Sequence, residues 1–280
     1  MALLGPAQIR DLARELDLQP TKRLGQNFVI DPNTVRRIAA MAQIGPGDVV
    51  LEVGPGLGSL TLALLETGAR VVAVEIDPRL AQRLPHTIAE FAPEACDRLT
   101  VRCEDAVTMR PEDQTTAFVA NLPYNTGVPI LLNVFEAFPT VTSGVVMVQA
   151  EVAHRLTAAP GSRLYGVPSV KTAWWADARW AGKVGTEVFW PAPNVQSGLV
   201  RFVRHDQPDP AQRQATFEAV DAAFAQRRKM LRSALREWAG SLAVVAVCEA
   251  AGIDATLRGE SLSVLDYLAL ADAKSRLSSA

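Results

Sequence analysis

Cysteine, histidine and long apolar runs are the scarce features of this 280-residue chain, with three cysteines and three histidines in all. Cys96, Cys103 and Cys248 have neither paired nor metal-ligand spacing, and His86, His154 and His205 are scattered. That pattern excludes a disulfide framework and a zinc motif; a reducing, cytoplasmic setting and no structural metal are expected. No window approaches the roughly 20 unbroken apolar residues of a membrane-spanning helix. The start, Met1-Ala2-Leu3-Leu4-Gly5, lacks a charged segment, a long apolar region and a cleavage site, so no secretory leader is expected. Positive charge is not in excess: 28 Lys and Arg stand against 30 Asp and Glu, a net charge of -2, which argues against a uniformly basic nucleic-acid-coating protein. What the chain does have is 49% hydrophobic residues, enough for one large core and a smaller appendage.

The most informative residues are Asn121-Leu122-Pro123-Tyr124-Asn125, which follow an apolar strand-like run, Thr116-Ala117-Phe118-Val119-Ala120. At the mouth of an α/β sheet this pentapeptide offers an amide oxygen, a backbone carbonyl held by the following proline, and an aromatic face. A planar base with an exocyclic amine needs all three. Asn121 and the Leu122 carbonyl each accept one amino hydrogen, Pro123 fixes that carbonyl, and Tyr124 stacks on the ring. A plain turn closing a strand uses the same residue types, so the motif needs a second signal.

The second signal is Glu52-Val53-Gly54-Pro55-Gly56-Leu57-Gly58, between strand-like Val49-Val50-Leu51 and a helical stretch from Ser59 to Leu65. Its glycines permit a tight turn and close approach of a ligand to the backbone. A second strand, Val71-Val72-Ala73-Val74-Glu75, ends in a carboxylate about 20 residues on, the spacing that suits an acidic group bonding both hydroxyls of a ribose. A nicotinamide fingerprint reads Gly-x-Gly-x-x-Gly; here Gly54-x-Gly56-x-Gly58 breaks that spacing. Glu52 beside the loop suits a cationic ligand better than a pyrophosphate. A further strand, Leu99–Cys103, leads to Asp105, which is placed to accept from an adenine amine. S-adenosylmethionine, which has no phosphate, is therefore the expected cofactor.

Strand-like and helical runs alternate from about Val49 to Val203, the pattern of an α/β fold with a parallel sheet covered on both faces. Helices are predicted over Pro32–Ala42, Leu80–Phe91 and Val128–Phe138, with further strands over Gly144–Gln149, Ser169–Trp174 and Ser197–Val203, the last two including an antiparallel pair. After His205-Asp206-Gln207-Pro208-Asp209-Pro210 the strands stop and four short helical segments are expected. Two domains are predicted: residues 1–205 carrying the cofactor and residues 206–280 forming a small all-helical unit. Arg227, Arg228, Lys229, Arg232 and Arg236 cluster on a predicted helix, and Lys22, Arg23, Arg36 and Arg37 flank an amino-terminal motif. Next to a base-binding pocket, such clusters read as phosphate contacts.

With these residues in view, the chain resembles the ribosomal RNA adenine dimethyltransferases, in particular the group acting on small-subunit 16S RNA. The resemblance runs from Leu24-Gly25-Gln26-Asn27-Phe28 through both motifs, Gln149-Ala150-Glu151, Pro160–Gly166 and Phe189-Trp190-Pro191-Ala192-Pro193 to Arg227-Arg228-Lys229 and Arg258-Gly259-Glu260-Ser261-Leu262. It implies a Rossmann-like class I S-adenosylmethionine methyltransferase sheet followed by an RNA-binding helical domain. It implies cofactor contacts at Asn27, Val29, Gly54, Glu75, Asp105 and Asn121, catalysis at Asn121, Leu122, Pro123 and Tyr124, stacking by Tyr124 and Phe189 on opposite faces of the target base, and RNA contact at Arg227, Arg228 and Lys229. The implied activity is dimethylation of the N6 amines of two adjacent adenosines in the 3'-terminal hairpin loop of 16S rRNA, in the 30S subunit or its precursor, by a monomer without metal. Two departures, Ala150 and Asn194, stand where the family often has lysine. The alternatives are a large-subunit RNA dimethyltransferase of the macrolide-resistance type and a non-catalytic ribosome-assembly factor.

Overall fold

The computed structural model describes residues 2–18, 27–111 and 114–279. Leu24-Gly25-Gln26, Lys22 and Arg23 therefore lie outside the described residues. In chain order the elements are α1 (Pro6–Glu15), β1 (Phe28–Val29), α2 (Pro32–Ala42), β2 (Val49–Val53), α3 (Ser59–Glu66), β3 (Arg70–Glu75), α4 (Pro78–Phe91), β4 (Leu99–Cys103), β5 (Ala117–Asn121), α5 (Gly127–Ala137), β6 (Ser143–Gln149), α6 (Ala150–Leu156), α7 (Val167–Trp175), β7 (Ala176–Val184), β8 (Phe189–Trp190) and β9 (Ser197–Arg204). Five helices follow: α8 (Arg213–Ala225), α9 (Leu231–Ala234), α10 (Arg236–Ala239), α11 (Val244–Ala250) and α12 (Val264–Ser278).

Seven strands form one sheet in the order β4-β3-β2-β5-β6-β9-β7, and β1 pairs with β8 in a separate antiparallel ribbon. Strands β2 to β6 are mutually parallel; β9 returns antiparallel to β6, with Gly144 opposite Phe202 and Gln149 opposite Ser197. Residues 50–53 of β2, 117–120 of β5 and 144–148 of β6 are all buried, as in strands covered on both faces, and Glu52 is the one charged residue among them. Connections run outward from β2 to β3 and β4 on one side and restart at β5 on the other. The gap beside the carboxyl ends of β2 and β5 is thus the topological switch point, where open α/β sheets bind ligands.

The chain divides into two compact units: Met1–Ala153 with Arg179–Arg204, and His154–Ala178 with His205–Ala280. A single cut after residue 205 therefore misses an insertion, because His154–Ala178 pack with the C-terminal helices. Within that second unit α7, α8 and α12 surround a core containing Val170, Val220, Leu231, Leu235, Tyr267 and Leu270. Its buried tyrosines are satisfied: Tyr165 donates to the Leu262 carbonyl at 2.9 Å and Tyr267 to that of Gly259 at 2.8 Å.

Two sequence expectations are corrected here. Ser169–Trp174 is not a strand but the body of α7. Pro168 suits the first turn, the Ser169 hydroxyl accepts from the Gly166 amide at 3.0 Å, and Trp174 lies edge-on to Phe217 of α8 with ring centroids 5.7 Å apart. The strand comes immediately afterwards as β7. The C-terminal region holds five α-helices among the described residues rather than four short ones, and α8 and α12 run to 13 and 15 residues.

Candidate active site

Strand β2 ends in the glycine loop. Gly54 still donates to the Val74 carbonyl at 2.9 Å, prolonging the β2–β3 ladder, and has φ +69°. A Cβ there would sit 3.6 Å from the Asn121 carbonyl and 3.9 Å from Pro123, so its absence keeps open the space between the two motifs. Gly56, at φ +57°, is tighter: a Cβ would meet the Phe28 ring at 2.9 Å. Only glycine satisfies both the left-handed backbone and that contact.

Two carboxylates face this loop. Glu75, 6% exposed, accepts from the Gly56 amide at 3.2 Å and the Asp77 amide at 3.0 Å. Burial pushes its pKa up, and those amides work against the push. Each oxygen retains a lone pair, so the carboxylate can still receive two hydroxyls. Glu52 is more extreme: it is 1% exposed, its Oε2 has no hydrogen-bond partner, and burial raises its pKa to about 8. A carboxyl left in that condition awaits either a proton or a cation.

The pentapeptide is fixed by the sheet. Asn121 lies opposite Met147 in the parallel β5–β6 ladder, and the Leu122 amide donates to the Met147 carbonyl at 3.0 Å. The Asn121 Nδ2 donates to the Asn27 carbonyl at 3.2 Å, while its Oδ1 is buried without a partner. Once its nitrogen is committed, the amide has one acceptor left over, and such an orphan needs an explanation. Asn27 lies before the start of α2 and is not its cap. Asp31 is, accepting from the Thr34 amide at 2.9 Å.

Asn27, Val29, Gly54, Glu75, Asp105, Asn121, Leu122, Pro123 and Tyr124 all line one cleft, together with Glu52. The Val29 carbonyl already accepts from the Ser59 hydroxyl at 2.7 Å, and Asp105 accepts from the Val107 amide at 2.9 Å. Ile76 joins the lining and was not singled out from the sequence; at 54% exposure it offers an apolar face immediately after Glu75. Its signal was an apolar residue placed just past a strand end. Phe189 is the correction: it is 3% exposed, pairs with Val29 across β1–β8, packs in the main core and is absent from the cleft lining.

The predicted basic helix is also corrected. Arg227, Arg228 and Lys229 occupy the turn after α8, whereas Arg232 lies in the short helix α9 and Arg236 starts α10. Arg227 is committed within its unit, with Nε 2.9 Å from Glu260 Oε2 and Nη2 donating to the Arg163 carbonyl at 2.6 Å. Arg228 and Lys229 are exposed. Arg36 is held by Glu66 through two bonds of 2.8 and 2.9 Å. Among the described residues, no cluster of three or more His, Cys, Asp or Glu is arranged to hold a metal ion, and no helix is long and apolar enough to cross a membrane.

A switch-point cleft with a glycine loop on one side and a strand-end carboxylate on the other, in this sheet order, defines a class I S-adenosylmethionine-dependent methyltransferase. The sequence model of the family described as "Ribosomal RNA adenine dimethylase" matches residues 18–275. The chain belongs to that family, and it is an S-adenosylmethionine-dependent adenine dimethyltransferase. A protein of Streptomyces griseus named "Ribosomal RNA small subunit methyltransferase A" is 57% identical over 283 residues, covering 99% of this chain and 97% of its own length. Among solved structures, a dimethyladenosine transferase from Plasmodium falciparum aligns with TM-score 0.73 at 22% identity, over 87% of this chain and 95% of its own, a likeness of fold. The 23S rRNA methyltransferase ErmE aligns with TM-score 0.66 at 27% identity, over 89% of this chain and 100% of its own.

Proposed function

We propose that this protein dimethylates the N6 amines of two adjacent adenosines in the 3'-terminal hairpin loop of 16S rRNA, with S-adenosylmethionine as donor, during small-subunit biogenesis. The observation that carries the reading is the orphan Asn121 Oδ1, buried on the cleft and held in place by the Asn27 carbonyl. Near-full-length similarity to a small-subunit enzyme favours 16S RNA over the large-subunit alternative, whose solved relative is far less identical. An assembly factor without turnover would have no use for that orphan acceptor.

The residues fit the cofactor. Glu75 is placed to hold the ribose, Asp105 the adenine amine, and Asn27, Val29 and Gly54 the amino-acid tail, with Glu52 supplying negative charge. Bound S-adenosylmethionine supplies an electrophilic methyl group on a positively charged sulfur. The protein's task is the nucleophile, because the lone pair of an adenine amine is delocalised into the ring. Asn121 Oδ1 and the Leu122 carbonyl accept its two hydrogens and so favour a pyramidal nitrogen with a localised pair. This is catalysis by positioning and preorganised dipoles. No side-chain base is needed, since a positively charged methylated amine loses its proton readily to water. Extruding the base costs on the order of a few kcal/mol, and stacking on Tyr124 returns ~1–3 kcal/mol. Arg228 and Lys229 contribute phosphate contacts, with Arg227 holding their turn. The protein works as a cytoplasmic monomer.

Radiolabelled methyl transfer to unmethylated 30S particles, 50S particles and free RNA tests the reading. Label in 16S RNA is expected; label confined to the large subunit would refute it, and particle binding without label would favour the assembly factor.

Glu52 adds a pH dependence. Without ligand it holds its proton up to about pH 8, and a cation in the cleft lowers that value. Binding therefore expels a proton below this point, so cofactor affinity should rise as pH climbs towards about 8 and level off above it. Glu52→Gln should match wild-type affinity at low pH, show no rise, and bind more weakly above pH 8. Calorimetric titrations across that range would read it; an equally steep rise in the variant would exonerate Glu52.

A further inference from the structure

Tyr124 is the aromatic residue of the cleft that lies in the Asn121 turn, and its ring is tethered at the far end. The phenol oxygen lies 2.6 Å from the Ser197 hydroxyl. Ser197 is fully buried at the start of β9, opposite Gln149 of β6. The strand there has no slack, because a Cβ on the next residue, Gly198, would collide with Trp180 and Ala153. The preceding carbonyl, that of Gln196, accepts from the Ala150 amide at 2.9 Å. Ser197 Oγ is thus a fixed point in the sheet. Tyr124, in the turn between β5 and α5, would otherwise swing about its Cα–Cβ bond.

We propose that Ser197 is a positioning residue for methyl transfer: its hydroxyl fixes the plane of the Tyr124 ring, and a base stacked on that ring takes its orientation from it. The inference rests on the proposed role of Tyr124 as the stacking surface. A stacked adenine whose plane tilts moves its amine relative to Asn121 Oδ1 and the methyl donor, and small misplacements at a reacting centre are costly. Burial pushes the Tyr124 pKa above its ordinary value, which keeps the phenol protonated and able to share this bond. The competing account is that the bond only satisfies a buried serine.

A double-mutant cycle separates the two. Ser197→Ala, Tyr124→Phe and the double variant each lose the same bond, and Tyr124→Phe retains the ring. All three should lower kcat by the same factor, about three- to tenfold, with S-adenosylmethionine affinity and particle KM within about twofold of wild type. With ring-labelled tyrosine, the Tyr124 Cζ resonance should shift in Ser197→Ala while those of Tyr165 and Tyr267 stay. Should Ser197→Ala fail to fold, Tyr124→Phe alone decides through kcat. Unchanged kcat in Tyr124→Phe, losses that multiply in the double variant, or an unmoved Cζ resonance would overturn the proposal. A wild-type protein that transfers no methyl to any ribosomal particle would defeat the proposed function as well, so the two failures are distinguishable.

Discussion

Asn121→Ala is expected to lower kcat by about 10²–10³-fold while S-adenosylmethionine affinity falls only modestly. The asymmetry follows from the two ends of the amide. Its nitrogen bonds the Asn27 carbonyl at 3.2 Å, a contact within the protein that contributes about 1 kcal/mol. Its oxygen is buried without a partner and is free to bond the substrate. Alanine removes both, but the second matters only while the adenine amine is becoming a nucleophile. The backbone is not at stake, because the Leu122 amide and the β5–β6 ladder hold the turn independently of this side chain. Single-turnover rates at saturating cofactor, set beside equilibrium binding, would measure the split. A variant working near the wild-type rate would remove the amide from the chemistry.

Glu75→Ala should act on the other half of the reaction, weakening S-adenosylmethionine binding on the order of 10²–10³-fold. Two hydrogen bonds from ribose hydroxyls to a charged acceptor are worth ~3–4 kcal/mol together. The carboxylate also braces the loop, bridging the amides of Gly56 and Asp77. Folding should survive, since β3 is held by β2 and β4 through its backbone and the removed group is one whose burial opposes its charge. Calorimetric titration together with a thermal melt checks both halves. Binding within about threefold of wild type would place the ribose elsewhere.

Much of the cofactor half was readable because its determinants are local. Asp31 and Pro32 start α2 where the sequence predicts it, and Leu99–Cys103 forms a strand with the expected bounds. The two motifs needed one further fact to meet, the adjacency of β2 and β5, which the order of strands supplies. What stayed hidden was decided at long range. The β-branched and aromatic run ending in Trp174-Trp175 reads as a strand until Phe217 is known to lie against it. Strand β7 has few buried positions and so no apolar alternation to detect. Phe189 sits in a segment that suggests a loop beside the cleft, yet its pairing with Val29 draws it into the core. Arg227 looks like a free cation until Glu260 is brought beside it.

The antiparallel placement of β9 between β6 and β7 has a consequence for biosynthesis. Strands β2 to β6 can assemble as they are made, but an interior strand of the sheet is among the later segments to emerge, and Ser197 emerges with it. Chains elongate at about 5–20 residues per second, so for several seconds a nascent chain carries the glycine loop and the Asn121 turn beside an open sheet edge. During that interval the polypeptide has its glycine loop and its Asn121 turn, but not the buried hydroxyl that the Tyr124 phenol bonds in the finished sheet.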